Sequence, residues 1–268
     1  MSTLSVNISD RIATITLNRP KSYNAITVED YDAFANALRE IDRRDDVLVT
    51  VWQATGKWFC AGTDVMGRSL PNVGPQTALS PTSSNNTLRE MFLKRISYTT
   101  TDCGQALYSH SKVLVAALNG PVMGIAAAFL GYFDFIFSVP DSWLSVPFTF
   151  LGIISEGGSS VSFINRMGPA RANEVLIWGK KKTAQELVAC NFINEIFPSK
   201  STEEFHADLL RAGLNEKNDP NAVNLRESYA QAERFASGVP EQREAENGVC
   251  TVVSHIYCNS TILHCLHM

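Results

Sequence analysis

The chain has 268 residues, 45% apolar and 19% charged, with a formal net charge of −4. Such a chain buries a sizeable core, as one large domain or a domain plus a small appendage. Its acidic balance, with no basic cluster beyond Lys180-Lys181-Lys182, argues against a nucleic-acid partner, and no apolar run is long enough for a bilayer.

The elements read in chain order. Residues 3–17 are rich in β-branched side chains and predict two strands around a turn at Ser9-Asp10. Thr27 with Asp30 is a capping-box-like start, and Tyr31, Phe34, Leu38 and Ile41 follow at helical spacing, with Arg43 and Arg44 suited to the helix end. Residues 47–52 form a short apolar strand running into a glycine-bearing loop, Thr55 to Gly62. Residues 69–86 carry three prolines and read as a long surface loop, and a helix is expected over about 88–110. Residues 112–118 predict a buried strand, 124–131 a small-residue helix, and 133–139 another strand. Helices are expected beyond, over 157–167, 170–178, 184–189, 202–212 and 221–236. Strand, strand, helix repeating along a chain predicts an α/β fold.

The start lacks the basic-then-apolar pattern of a secretion signal, so the six cysteines are expected as reduced thiols. Three of them lie in the last nineteen residues, with His255, His264 and His267, but the spacing matches no zinc pattern and no metal site is expected.

Three segments carry chemistry. In Phe59-Cys-Ala-Gly-Thr-Asp64 the Thr63 N–H is a candidate donor to a ligand oxygen. The bland alternative is a turn with Asp64 as an N-cap. In Asn119-Gly-Pro-Val-Met-Gly-Ile125, Gly124 opens an Ala-rich helix whose first free donors include the Ile125 N–H. Small residues there also simply permit tight packing. In Leu151-Gly-Ile-Ile-Ser-Glu-Gly-Gly158, Glu156 stands among apolar and glycine residues, an environment that favours a general base. Its bland reading is a helix-start glutamate paired with the dipole. Two N–H donors and a base suffice to remove a proton beside a carbonyl. His110 reads as a helix-end residue and the Lys180–182 run as a solvated face.

Together, and in this order, these segments resemble the crotonase superfamily, also called enoyl-CoA hydratase/isomerase. Leu17-Asn-Arg-Pro-Lys-Ser-Tyr-Asn-Ala25 and Gly168-Pro-Ala-Arg-Ala172 add to the match, which covers roughly residues 4–245. The resemblance implies a spiral of ββα units over 1–195, then a helical trimerisation region over 196–268 whose tail is atypical from about 247. It implies a homotrimer or hexamer, an acyl-CoA thioester substrate, and no cofactor beyond the CoA that belongs to that substrate. Carried over by motif, the oxyanion donors fall on Thr63 and Ile125, and Ala61, Gly62, Asp64, Val65, Gly124 and Phe148 would line the substrate. The two glutamate positions of hydratases hold Ala128 and Phe148 here, whereas Glu156 matches the single glutamate of peroxisomal-type Δ3,Δ2-enoyl-CoA isomerases, fungal members above all. The implied activity is a shift of the 3-enoyl-CoA double bond to C2, in fatty-acid oxidation or fungal polyketide-type assembly. Alternatives are a hydratase, a dienoyl-CoA isomerase and a thioester-binding protein without turnover. The family suggests a peroxisomal location, otherwise cytoplasmic, but Leu266-His267-Met268 is a poor signal.

Overall fold

A computed structural model describes residues 3–65, 97 and 99–210, and these form the α/β architecture expected. Strands β1 (Leu4–Ser9) and β2 (Ile12–Leu17) make an antiparallel hairpin. Its turn sits one residue later than the sequence suggests, on Asp10 and Arg11, both at positive φ as a twisted two-residue hairpin turn requires. From β2 the sheet continues in parallel through β3 (Val49–Ala54), β4 (Val113–Leu118), β6 (Phe135–Ser138) and β9 (Glu195–Ile196). Every residue of β4, Val-Leu-Val-Ala-Ala-Leu, is buried, the mark of a parallel strand covered on both faces. A second, smaller sheet joins β5 (Val122–Met123), β7 (Trp143–Ser145) and β8 (Lys182–Thr183).

Helix α1 (Val28–Asp42) starts on the capping box: Thr27 Oγ1 accepts from the Asp30 N–H, and Asp30 accepts from the Thr27 N–H. Tyr31, Phe34, Leu38 and Ile41 are its buried stripe. The basic residue in its last turn is Arg39, which pairs with Asp102 at the start of α2 (Asp102–Tyr108), while Arg44 turns instead to Asp46. Helix α3 (Ile125–Phe129) is wholly buried. The two helices expected over 157–178 are the halves of α4 (Ser159–Leu176), kinked at Gly168 before Pro169. Helices α5 (Ala184–Ala189) and α6 (Thr202–Leu209) follow. Expectations for the 69–86 loop, most of the 88–110 helix, the 221–236 helix and the Cys/His-rich tail lie outside the described residues. Among the described residues no helix is long and apolar enough to cross a membrane.

The Lys180–182 run is not one solvated face. Lys182 is buried against Glu174 and lies 3.6 Å from Glu186, and Lys181 sits over the Trp143 ring. His110 does follow the end of α2, but it is no cation for that terminus. Its ring is buried with Nε2 2.8 Å from Thr50 Oγ1, and burial pushes its pKa down to about 4.

Candidate active site

The segment 59–64 runs between two backbone partners. On one side the Phe59 and Cys60 N–H groups donate to the Pro121 carbonyl, and the Met123 N–H donates to the Cys60 carbonyl at 2.9 Å. On the other side the Ala61 N–H donates to the Tyr23 carbonyl. The Ile26 N–H donates to the Gly62 carbonyl, and the Asp64 N–H to the Ile26 carbonyl, each at 2.8 Å. In a trans peptide the carbonyl and the N–H point in opposite directions. The Gly62 carbonyl faces Ile26, so the Thr63 N–H on the same peptide is aimed away from Ile26.

The same logic applies at α3. The Gly124 carbonyl accepts from the Ala128 N–H inside the helix, so the Ile125 N–H points out of the helix start. Gly124 is itself tied to the second sheet through its N–H on the Ser145 carbonyl at 2.9 Å. The two glycines meet: a Cβ on Gly62 (φ +90°) would lie 3.0 Å from the Met123 carbonyl oxygen and 3.6 Å from the Gly124 Cα. A side chain at Gly62 would press the loops apart, whereas a Cβ on Gly124 would only reach ordinary contact with the Gly62 Cα at 3.6 Å. Among the described residues neither the Thr63 nor the Ile125 N–H donates a hydrogen bond.

Glu156 is half-buried and stands outside α4. Gly158 is the N-cap and the first turn holds no acidic residue, so Glu156 precedes the helix rather than standing in its first turn. Its carbonyl is held by the Ser159 hydroxyl at 2.7 Å and the Ser159 N–H at 3.2 Å. The next residue, Gly157 (φ +60°), packs on α3 so tightly that a Cβ would come 2.8 Å from Ile125 Cδ1 and 3.3 Å from Ala128 Cβ. The turn carrying the carboxylate therefore abuts the first turn of the helix that bears the Ile125 N–H.

Asp64 is engaged by Arg19, whose Nη1 lies 2.9 Å from its Oδ2 and 2.6 Å from the Ala25 carbonyl. Thr63 Oγ1 lies 2.6 Å from the Tyr31 hydroxyl. Ala61 is half-buried, and Val65 is exposed at the end of the described segment. Neither cross-link was legible in the sequence, since each joins residues more than thirty positions apart. The quoted Asn-Arg-Pro run supplied Arg19 without a role.

Phe148, expected to line the substrate, is 3% exposed and belongs to the core that also holds Ile125 and Ala128. The apolar neighbours expected to enclose Glu156 do not do so: Leu151, Ile153 and Ile154 are exposed, Ile154 at 85%. A 3-10 turn over Thr149–Leu151, ended by left-handed Gly152, leads the chain out to the surface before Glu156.

The sequence matches the family described as Enoyl-CoA hydratase/isomerase over residues 7–256. It is similar to Delta(3,5)-Delta(2,4)-dienoyl-CoA isomerase of Pyricularia oryzae, 31% identical over 88% of this chain and 93% of that one. It is also similar to 3,2-trans-enoyl-CoA isomerase of Saccharomyces cerevisiae, 33% identical over 80% of this chain and 75% of the relative. In structure it resembles a putative enoyl-CoA hydratase/carnithine racemase from Magnetospirillum magneticum, with a TM-score of 0.67 at 22% identity, covering 100% of this chain and 92% of that one.

Proposed function

Because the chain belongs to the enoyl-CoA hydratase/isomerase family, we propose that it is a Δ3,Δ2-enoyl-CoA isomerase. It converts 3-enoyl-CoA to trans-2-enoyl-CoA. The observation that carries this reading is the meeting of Gly62 and Gly124, which sets two outward-aimed N–H groups on touching loops beside the turn of Glu156. The thioester oxygen sits between the Thr63 and Ile125 N–H groups, which stabilise the negative charge that develops there as the proton leaves C2. Glu156 takes that proton and returns it to C4 on the same face, leaving the double bond at C2. Residues 128 and 148 are alanine and phenylalanine, both buried, so neither can activate water for hydration. Measured as the rise in ultraviolet absorbance of the conjugated thioester, wild-type activity that Glu156→Gln abolishes supports the reading. Full activity in Glu156→Gln overturns it.

Dienoyl-CoA isomerisation is the second reading, favoured by the name of the Pyricularia relative. That reaction moves a proton from C2 to C6, too far apart for one carboxylate, and position 148 supplies no second acid. Comparing rates on 3-enoyl and 3,5-dienoyl thioesters separates the two. Binding of the thioester without turnover of either would leave the binding-only reading.

A homotrimer or hexamer is part of the same proposal. Phe150, Leu151, Ile154, Ile177 and Trp178 are large apolar side chains exposed to solvent, Trp178 at 75%, the kind of surface a second copy covers. Sedimentation mass tests it. Peroxisomal residence rests on the family resemblance, and a fluorescent fusion at the N-terminus tests it.

A further inference from the structure

If the Thr63 N–H is an oxyanion donor, something must fix the peptide that carries it. Each of its two peptide planes is tethered to Ile26 by one hydrogen bond, through the Gly62 carbonyl and the Asp64 N–H, which leaves its tilt free. The Gly62 side of that peptide remains soft, because glycine offers little torsional resistance at φ +90°. What is left to fix is the rotation of the Thr63 Cα between those planes. The side chain does this. Thr63 Oγ1 is hydrogen-bonded at 2.6 Å to the hydroxyl of Tyr31, a residue 1% exposed in the first turn of α1.

Tyr31 is itself immobilised. The capping box starts its helix one turn earlier, and the buried Cys103 thiol donates to its carbonyl at 3.3 Å. The Arg39–Asp102 pair fastens the same two helices further along. The phenol is thus a rigid strut from the α1–α2 pair to the donor loop. Such a strut keeps the N–H aimed in advance at the place where charge builds, so that no reorganisation is needed in the transition state.

We propose that Tyr31 is a positioning residue for the oxyanion hole, acting on the Thr63 N–H through the Thr63 hydroxyl. This inference rests on the isomerase reading above. It assigns no contact between Tyr31 and substrate, and it predicts an effect on rate and on carbonyl polarisation rather than on binding.

The test uses Tyr31→Phe, Thr63→Val and the double variant of the full chain. Both substitutions keep shape, and Thr63→Val keeps the backbone N–H. Rates are measured on 3-enoyl-CoA, and the carbonyl stretch of bound trans-2-hexenoyl-CoA is read by isotope-edited infrared spectroscopy. Each single variant should lose about fivefold to tenfold in kcat, the scale of one neutral hydrogen bond, with KM changed less than about twofold. The bound carbonyl should move back toward its frequency in water. The double variant should be no slower than the slower single one, because both remove the same bond. Unchanged kcat and carbonyl frequency in Tyr31→Phe overturn the proposal, as does a loss confined to melting temperature. Should Tyr31→Phe fail to fold, Thr63→Val decides by the same two readouts. A wild-type protein that leaves the carbonyl unshifted overturns the thioester reading itself, a result distinct from a wild-type shift that the variants retain.

Discussion

Gly62→Ala tests the geometry most directly. The new methyl would be placed 3.0 Å from the Met123 carbonyl oxygen and 3.6 Å from the Gly124 Cα, so loop 59–64 and the start of α3 must part by a few tenths of an ångström. At φ +90° an alanine also carries backbone strain of about 1–3 kcal/mol. Strain alone lowers the melting temperature by about 2–4 °C per kcal/mol for a chain of this size. On the isomerase reading, separating the two N–H groups adds a kinetic loss. Removing one donor outright costs about 3–4 kcal/mol, and a misplacement near 1 Å costs about a hundredfold in rate. The smaller parting expected here corresponds to a kcat loss of about tenfold or more. Gly168→Ala is the control: it has φ +75°, and nothing lies within 4 Å of its Cβ position, so it carries strain at the α4 kink without crowding. The assay is the ultraviolet rate on 3-enoyl-CoA beside thermal unfolding of each variant. Equal kcat in wild type and Gly62→Ala, with melting lowered as in Gly168→Ala, would refute the claim that the glycine contact sets the donors.

Glu156→Gln should lower kcat by about 10²- to 10⁴-fold while leaving the Kd for a saturated acyl-CoA within about twofold, measured by calorimetry. Gly157→Ala should slow the enzyme by driving a methyl into Ile125 Cδ1, and adding Ile125→Val, which removes that atom and keeps the N–H, should restore part of the rate. His110 has a folded pKa of about 4 against an ordinary value of 6.5, so between those values the unfolded chain binds the extra proton. Its contribution to stability is complete above about pH 6.5 and is lost as pH falls toward 4. Urea unfolding at pH 7 and pH 5 should show wild type losing more stability than His110→Gln; equal losses would contradict the assignment.

How much of this was readable in advance follows from the range of the forces involved. The capping box of α1, its buried stripe and the all-apolar β4 are local patterns, and the sequence carries them in full. The Gly168-Pro169 break was legible for the same reason, since proline and glycine act on their own backbone. Strands β5, β7, β8 and β9 were not, because two or three residues show no period. At the site, motif order named Thr63, Ile125 and Glu156. The contact between Gly62 and Gly124 exists only after the two sheets form, and so do the Tyr31 and Arg19 cross-links. The surface exposure of Ile154 was missed because an apolar run at a 3-10 turn looks the same whether it faces inward or outward.

Cys60 acquires a chemical meaning from its place beneath the donor loop. A conjugated 2-enoyl thioester is an electrophile at C3, and thiolates add to it. Cys60 lies three residues from Thr63, yet its Sγ is buried, donates to the Asn24 carbonyl at 3.0 Å and accepts from the Gly62 N–H at 3.3 Å. Burial pushes its pKa up to about 12, so at neutral pH it is a thiol and a poor nucleophile. On the isomerase reading, the sulfur that braces the loop is thereby kept from being alkylated by a 2-enoyl product.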